Sequence, residues 1–147
     1  MRRIVFTLAA LACATGALAA DARSYVTPDG FNPATSSPYS LGVMAGGAFY
    51  VAGHLGIDPS TGQVASDVEH EAHYVLDQVK STLQKAGLSM DDLVSVTIYC
   101  TDLSLYEKFN GIYRGYFHEH YPARAFIGVD KLVRGAHFEI QAVAVKK

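Results

Sequence analysis

Cysteine is scarce in this chain, and its basic residues never cluster. The 147 residues hold two cysteines, Cys13 and Cys100. Cys13 lies in an N-terminal stretch that reads as a removable leader. The remaining chain keeps Cys100 alone and forms no internal disulfide, even in an oxidising compartment. Lysine and arginine total 12 against 14 acidic residues, and no segment gathers them into a stripe. Such a chain is a poor match to a phosphate backbone or to an anionic membrane surface. There is no solenoid-length repeat, no low-complexity run and no composition break that marks a second domain. The length after the leader suits one domain with one core.

The N-terminus carries Arg2-Arg3, an apolar run from Ile4 to Ala14, and Ala17-Leu18-Ala19. This is the order of a bacterial-type secretory signal: a positive end, a short apolar stretch, then a small-residue cleavage site. The apolar run is too short for a stable transmembrane helix. Residues 1–20 are therefore expected to be a signal peptide cut after Ala19 or Ala20. The mature protein is expected to be periplasmic or secreted, with no membrane attachment. Residues 21–37 are rich in Pro, Ser, Thr, Gly and Asn without periodicity, and read as an irregular arm. Residues 38–147 read as a single domain.

Tyr39–Ala45 and Ala48–Gly53 flank Gly46-Gly47 and suit a tight hairpin. Ser66 and Glu69 have capping-box spacing, and Val68, Ala72, Val75, Leu76, Val79 and Leu83 recur at helical spacing up to Gly87. Leu93–Thr101 alternates, with Val94, Val96, Ile98 and Cys100 on one face. Cys100 on that apolar phase reads as a buried small hydrophobe. Ser104 and Glu107 repeat the capping-box spacing before a helix that carries Leu105, Phe109, Ile112, Tyr113, Tyr116 and Phe117 and ends by Pro122. Ala123–Val129 and Ala136–Val145 close the chain as strands, expected to be neighbours. The order β-β-α-β-α-β-β predicts an α+β sandwich, one sheet with two helices packed on one face. In the last strand Phe138, Ile140, Ala142 and Ala144 suit the helix side. His137, Glu139, Gln141, Val143 and Val145 face away, and a half-apolar outer face suits contact between subunits.

Two residues carry suggestive chemistry. Arg124 stands at the mouth of a strand, and a guanidinium holds a carboxylate in a two-point fork. Glu139 interrupts an apolar strand, and a carboxylate there can hold a water or take a proton. Arg124 equally fits an ion pair at a subunit seam, with Glu139 as a candidate partner. Glu139 also fits an ordinary exposed strand position. His70 and His73 share a helix face, but His70-Glu71-Ala72-His73 lacks the H-E-x-x-H spacing of a metal site, so a solvated face is the simpler reading. His118 and His120 suit a helix end.

The motifs resemble those of the Rid family of reactive intermediate deaminases, also called YjgF. They run in order through Ala52-Gly53-His54-Leu55-Gly56-Ile57-Asp58 with Thr61-Gly62, through Leu83, Ala86-Gly87-Leu88 and Asp92-Leu93-Val94, through Asn110, Tyr113, Phe117 and Pro122-Ala123-Arg124, and through Gly135-Ala136, Glu139-Ile140, Ala142 and Ala144. The resemblance implies a chorismate-mutase-like fold and a homotrimer with clefts between subunits. It implies hydrolysis of imines and enamines of amino acids to 2-keto acids and ammonia, with no metal and no organic cofactor. The position matching Arg124 binds the substrate carboxylate, and that matching Glu139 orients the water. Tyr39, Gly53 and Asn110 match residues that line or shape the pocket. His54, Ala125 and Phe126 lie beside them and are counted as substrate-binding candidates. His54 stands where a glutamine is usual, Ala52 for a frequent serine, Phe126 for a cysteine, and Val133 for a proline. Two other functions fit the same clefts: a non-enzymatic trimer that binds small carboxylates or shields unfolded chains, and an RNA-cleaving activity that the acidic balance disfavours.

Overall fold

Alternation over eight residues makes β4 (Leu93–Cys100) and β6 (Phe138–Val145) two strands with one buried and one open face. They pair with each other, antiparallel, at the middle of a six-stranded sheet. The structure, a computed structural model, describes residues 23–146. The expected signal peptide lies outside the described residues.

The other strands are β1 (Ser24–Val26), β2 (Gly42–Ala45), β3 (Ala48–Leu55) and β5 (Ala123–Gly128). Their order across the sheet is β1-β2-β3-β6-β4-β5. Only β4 and β5 run parallel. Helices α1 (Val68–Lys85) and α2 (Tyr106–Tyr113) supply the two crossovers and pack on one face. The expected α+β architecture with two helices on one sheet is what the chain adopts.

Ala72, Val75, Leu76, Val79 and Leu83 of α1 meet Phe49, Val51, Ile98, Phe138 and Ile140 of the sheet in one core. Each fully buried side chain of this kind contributes roughly 1.5–3 kcal/mol. Cys100 is part of that core, with its thiol donating to the Asp102 carbonyl at 3.1 Å.

Several local expectations are corrected. The arm is not wholly irregular, because Ser24–Val26 pairs with β2 as an edge strand. Three residues are too few for a periodic signal. The α1 cap is Asp67 rather than Ser66, with Oδ1 accepting from the N–H groups of Glu69 and His70 at 3.0 and 2.9 Å. Aspartate caps as well as serine and adds charge at the positive helix end. Ser104 and Glu107 form no box. Asp102 caps a 3-10 turn, Leu103–Leu105, and α2 starts only at Tyr106. That helix ends at Tyr113 and tightens into a 3-10 turn, Arg114–Tyr116. His118 thus lies past the helix, with its backbone N–H and ring at 3.1 and 3.3 Å from the Asp91 carboxylate. Val94 is exposed and Leu93 is buried in its place. The β4–β6 register shifts between Leu93 and Ser95, which inverts the alternation there. The closing strands β5 and β6 are not neighbours, because β4 runs between them.

The largest departure is Glu71. The stretch His70–His73 reads as a solvated face, yet Glu71 is fully buried. Its Oε1 accepts from the backbone N–H groups of His137 and Phe138 at 2.6 and 2.9 Å, and its Oε2 lies 2.7 Å from His137 Nδ1. A buried carboxylate is tolerable only when its lone pairs are met in this way. Gly56 leaves room for it, since a Cβ there would collide with the Glu71 backbone carbonyl. Glu71 therefore fixes the first residues of β6 to α1. Glu71→Ala strands two buried N–H groups and is expected to cost about 3 kcal/mol or more. Glu71→Gln keeps one oxygen for both N–H groups and should cost clearly less. Urea unfolding of the two variants checks this, and equal losses would refute the hydrogen-bond account.

Candidate active site

The Arg124 cleft is built by one face of α2. Tyr106, Asn110 and Tyr113 are spaced by four and three residues, so they stack along one side of the helix. Arg124, second residue of β5, pairs with Val96 on β4, and Val96 faces the helices. Its guanidinium donates to Asn110 Oδ1 at 2.8 Å and to the Tyr106 hydroxyl at 3.3 Å. Its carbon lies 4.8, 5.7 and 5.9 Å from the ring centres of Tyr113, Tyr106 and Phe126. Phe126 in turn meets Tyr106 edge-on at 5.1 Å. The arginine is thus boxed by three rings and an amide, which removes much of the entropy a ligand would otherwise have to freeze. Arginine has five N–H donors, and two are taken by these partners, so donors remain for a ligand carboxylate. Tyr121 and Pro122 complete an open cleft of about 270 Å³.

Glu139 lies in a different cleft, of about 670 Å³, with Tyr39, Gly53, His54 and Arg134. A bulge in β3 between Val51 and His54 shapes it. Strand alternation alone would send Val51 and His54 to opposite faces, but the bulge lets both bury. Gly53 is left at the surface of the bulge, directly against Glu139: a Cβ on Gly53 would overlap Glu139 Oε1. The glycine is therefore a space for the glutamate side chain. His54 borders this cleft as a residue, while its ring turns inward to Thr82 of α1, with Nε2 3.0 Å from Oγ1. Burial lowers the imidazole from the usual 6.5 to about 4, so it is neutral near pH 7.

The structure does not bring Arg124 and Glu139 together within one chain. Glu139 pairs with Tyr99 and Arg124 with Val96, on the two sides of β4. Two strand spacings and three residues separate them, roughly 10 Å across and 10 Å along. Val96 and Tyr99 also point to opposite faces, so Arg124 belongs to the helix face and Glu139 to the open face. Within one chain no Arg124–Glu139 ion pair forms. Ala125 pairs with Thr97 and is exposed on the open face, while Phe126 supports the arginine box. Among the described residues no group of three or more His, Cys, Asp and Glu side chains is assembled that could hold a metal ion.

Among the members of these clefts that the site candidates did not include are Tyr106, Tyr113 and Arg134. The spacing of Tyr106 and Tyr113 from Asn110 was the signal available for the first two. Arg134 has a positive φ of 60° and donates to the Gly62 carbonyl at 2.5 Å, tying the loop before β6 across the Glu139 cleft. Nothing in its local pattern announced that conformation.

A six-stranded sheet that splits an arginine cleft from a glutamate cleft is a distinctive arrangement, and comparison with known proteins gives it a class. The family model described as Endoribonuclease L-PSP matches residues 30–146. The chain is similar to the 2-iminobutanoate/2-iminopropanoate deaminase of Salmonella typhimurium, 36% identical over 118 residues, covering 78% of this chain and 92% of that protein. Among solved structures, the Rid-family protein YyfA of Yersinia pestis superposes with a TM-score of 0.77 at 32% identity, covering 85% of this chain and 100% of that one. Escherichia coli TdcF with bound serine superposes with a TM-score of 0.72 at 32% identity, covering 76% and 91%. The chain belongs to the Rid family.

The buried His54 makes stability depend on pH. Its folded pKa is depressed, so the unfolded chain binds the extra proton between pH 6.5 and about 4. Stability is therefore full above pH 6.5 and falls as pH drops toward 4, by up to about 3 kcal/mol from this residue. His54→Gln keeps a polar atom toward Thr82 and cannot take the proton. Urea unfolding at pH 7 and pH 4.5 should show a smaller acid loss in the variant than in the parent.

Proposed function

We propose that this protein hydrolyses imines and enamines of small amino acids to 2-keto acids and ammonia. The observation that carries the reading is Arg124, boxed by Tyr106, Tyr113, Phe126 and Asn110 beside an open cleft of ligand size. The names of its relatives support the same chemistry. TdcF carries bound serine, itself a small amino acid with a free carboxylate.

The reaction needs positioning more than activation. The C=N carbon is already electrophilic. Arg124 holds the carboxylate. Glu139 holds a water and takes its proton as oxygen adds to carbon. The resulting carbinolamine carries nitrogen and hydroxyl on one carbon. Protonation of the nitrogen and loss of ammonia leave the C=O bond, and the proton held by Glu139 is returned. Orientation of this kind supplies several kcal/mol, up to about 7–11 in the best cases.

Each chain alone holds half of this arrangement, since Arg124 and Glu139 lie on opposite faces. We propose that a homotrimer completes it, with the Arg124 cleft of one subunit closed by the Glu139 cleft of the next. Tyr50, Ile127 and Val145 leave large apolar side chains exposed along the sheet, as a buried subunit seam requires.

Keto-acid release from imines generated in place by an amino-acid oxidase tests the activity, and a rate independent of protein concentration would refute it. Arg124→Ala and Glu139→Gln should each lose nearly all turnover. A shared site makes a stronger demand: mixing and reassembling the two inactive variants restores intact clefts, at roughly a quarter of sites for random trimers. No recovery would place both residues' action within one chain and overturn the shared cleft.

The leader pattern supports export, and we propose that residues 1–20 are removed on the way to the periplasm or beyond. N-terminal sequencing of the exported protein should begin at Ala20 or Asp21. An intact Met1 there would refute cleavage.

A further inference from the structure

Tyr113 is 3% exposed, and its hydroxyl is the buried side-chain polar atom without a hydrogen-bond partner among the described residues. Such an atom is uncommon in a folded protein, because an unmet hydroxyl forfeits its bonds to water. Packing gives it no reason to be there. The ring is held by Phe117 at 4.7 Å, Phe109 at 6.0 Å and the Arg124 guanidinium at 4.8 Å. A phenylalanine would make the same contacts without the cost. The residue also lines the Arg124 cleft. The ring of Tyr121, 60% exposed, stacks beside it at 6.4 Å on the solvent side.

We propose that the Tyr113 hydroxyl is a ligand-binding group, a neutral second donor to the carboxylate that Arg124 holds. The inference rests on the reading of this cleft as the carboxylate end of the site. Burial pushes the phenol up to about 12, so it stays protonated and donates at any working pH. A carboxylate offers about four lone-pair sites on two oxygens, enough for the arginine and the phenol together. A carboxamide offers one oxygen, and its NH₂ would confront a donor. An amine would meet the arginine's charge. The pair therefore selects free imino and keto acids over their amides or peptide-bound forms.

The test uses 2-oxobutanoate and 2-oxobutanamide as probes, titrated by calorimetry into the parent protein and Tyr113→Phe, with a melting curve for each. The expected result is keto-acid binding weakened about tenfold or more in the variant, amide binding unchanged, and a Tm equal to or above the parent's. Keto-acid binding within twofold of the parent overturns the proposal. So does a lowered Tm, which would mean that the hydroxyl has a structural partner, and so does a parent that binds no keto acid. Turnover of 2-iminobutanoate is read separately. A parent that binds keto acid through Tyr113 yet turns over no imine would overturn the deaminase reading and leave this one standing.

Discussion

The fold hangs on the double pairing of β6. The last strand of the chain is inserted between β3 and β4 and is bonded along both edges. Without it the sheet would be two separate pieces, β1-β2-β3 and β4-β5. Its start is fixed to α1 by the Glu71 carboxylate, and its second residue is Glu139. A candidate catalytic group therefore sits on a strand bonded along both edges, one residue beyond a buried anchor. Its partner group, Arg124, has the opposite setting. It stands on the edge strand β5, where ring contacts from α2 replace the second row of backbone bonds.

Much of this was legible in the residues. The apolar periods of α1, β4 and β6 announce two faces each, and their burial follows those periods almost residue by residue. Arg124, Asn110 and Glu139 were singled out by chemical type and motif. What failed did so for local physical reasons. Bulges in β3 and β4 shift the alternation by one, which no period-two reading can anticipate at Val94 or His54. Glu71 looks like any helix-surface glutamate, because the groups that justify its burial, at His137 and Phe138, lie 66 and 67 residues away. The order of strands also escaped, since nothing in β5 or β6 states that β4 runs between them. The expectation that Arg124 and Glu139 stand on neighbouring strands failed for that reason.

That separation changes how the pair is understood. Within one chain the guanidinium and the carboxylate never neutralise each other. Each stays available in its own open cleft, one on each face of the sheet. The bulge at Gly53 and the ring box at Arg124 set the two groups independently. A substitution that disturbs one half leaves the other intact, which is what makes complementation between chains a physical possibility.

Cys100, the cysteine among the described residues, is closed to redox chemistry. Cys100 is sealed in the core, and burial pushes its thiol further from ionisation. Thiolate is the form that oxidants and disulfides attack. Among the described residues, neither glutathione nor a disulfide-forming oxidant finds a thiol to attack. A domain built this way keeps the same covalent structure in a reducing compartment as in an oxidising one, and its fold sets no constraint on which side of a membrane it works.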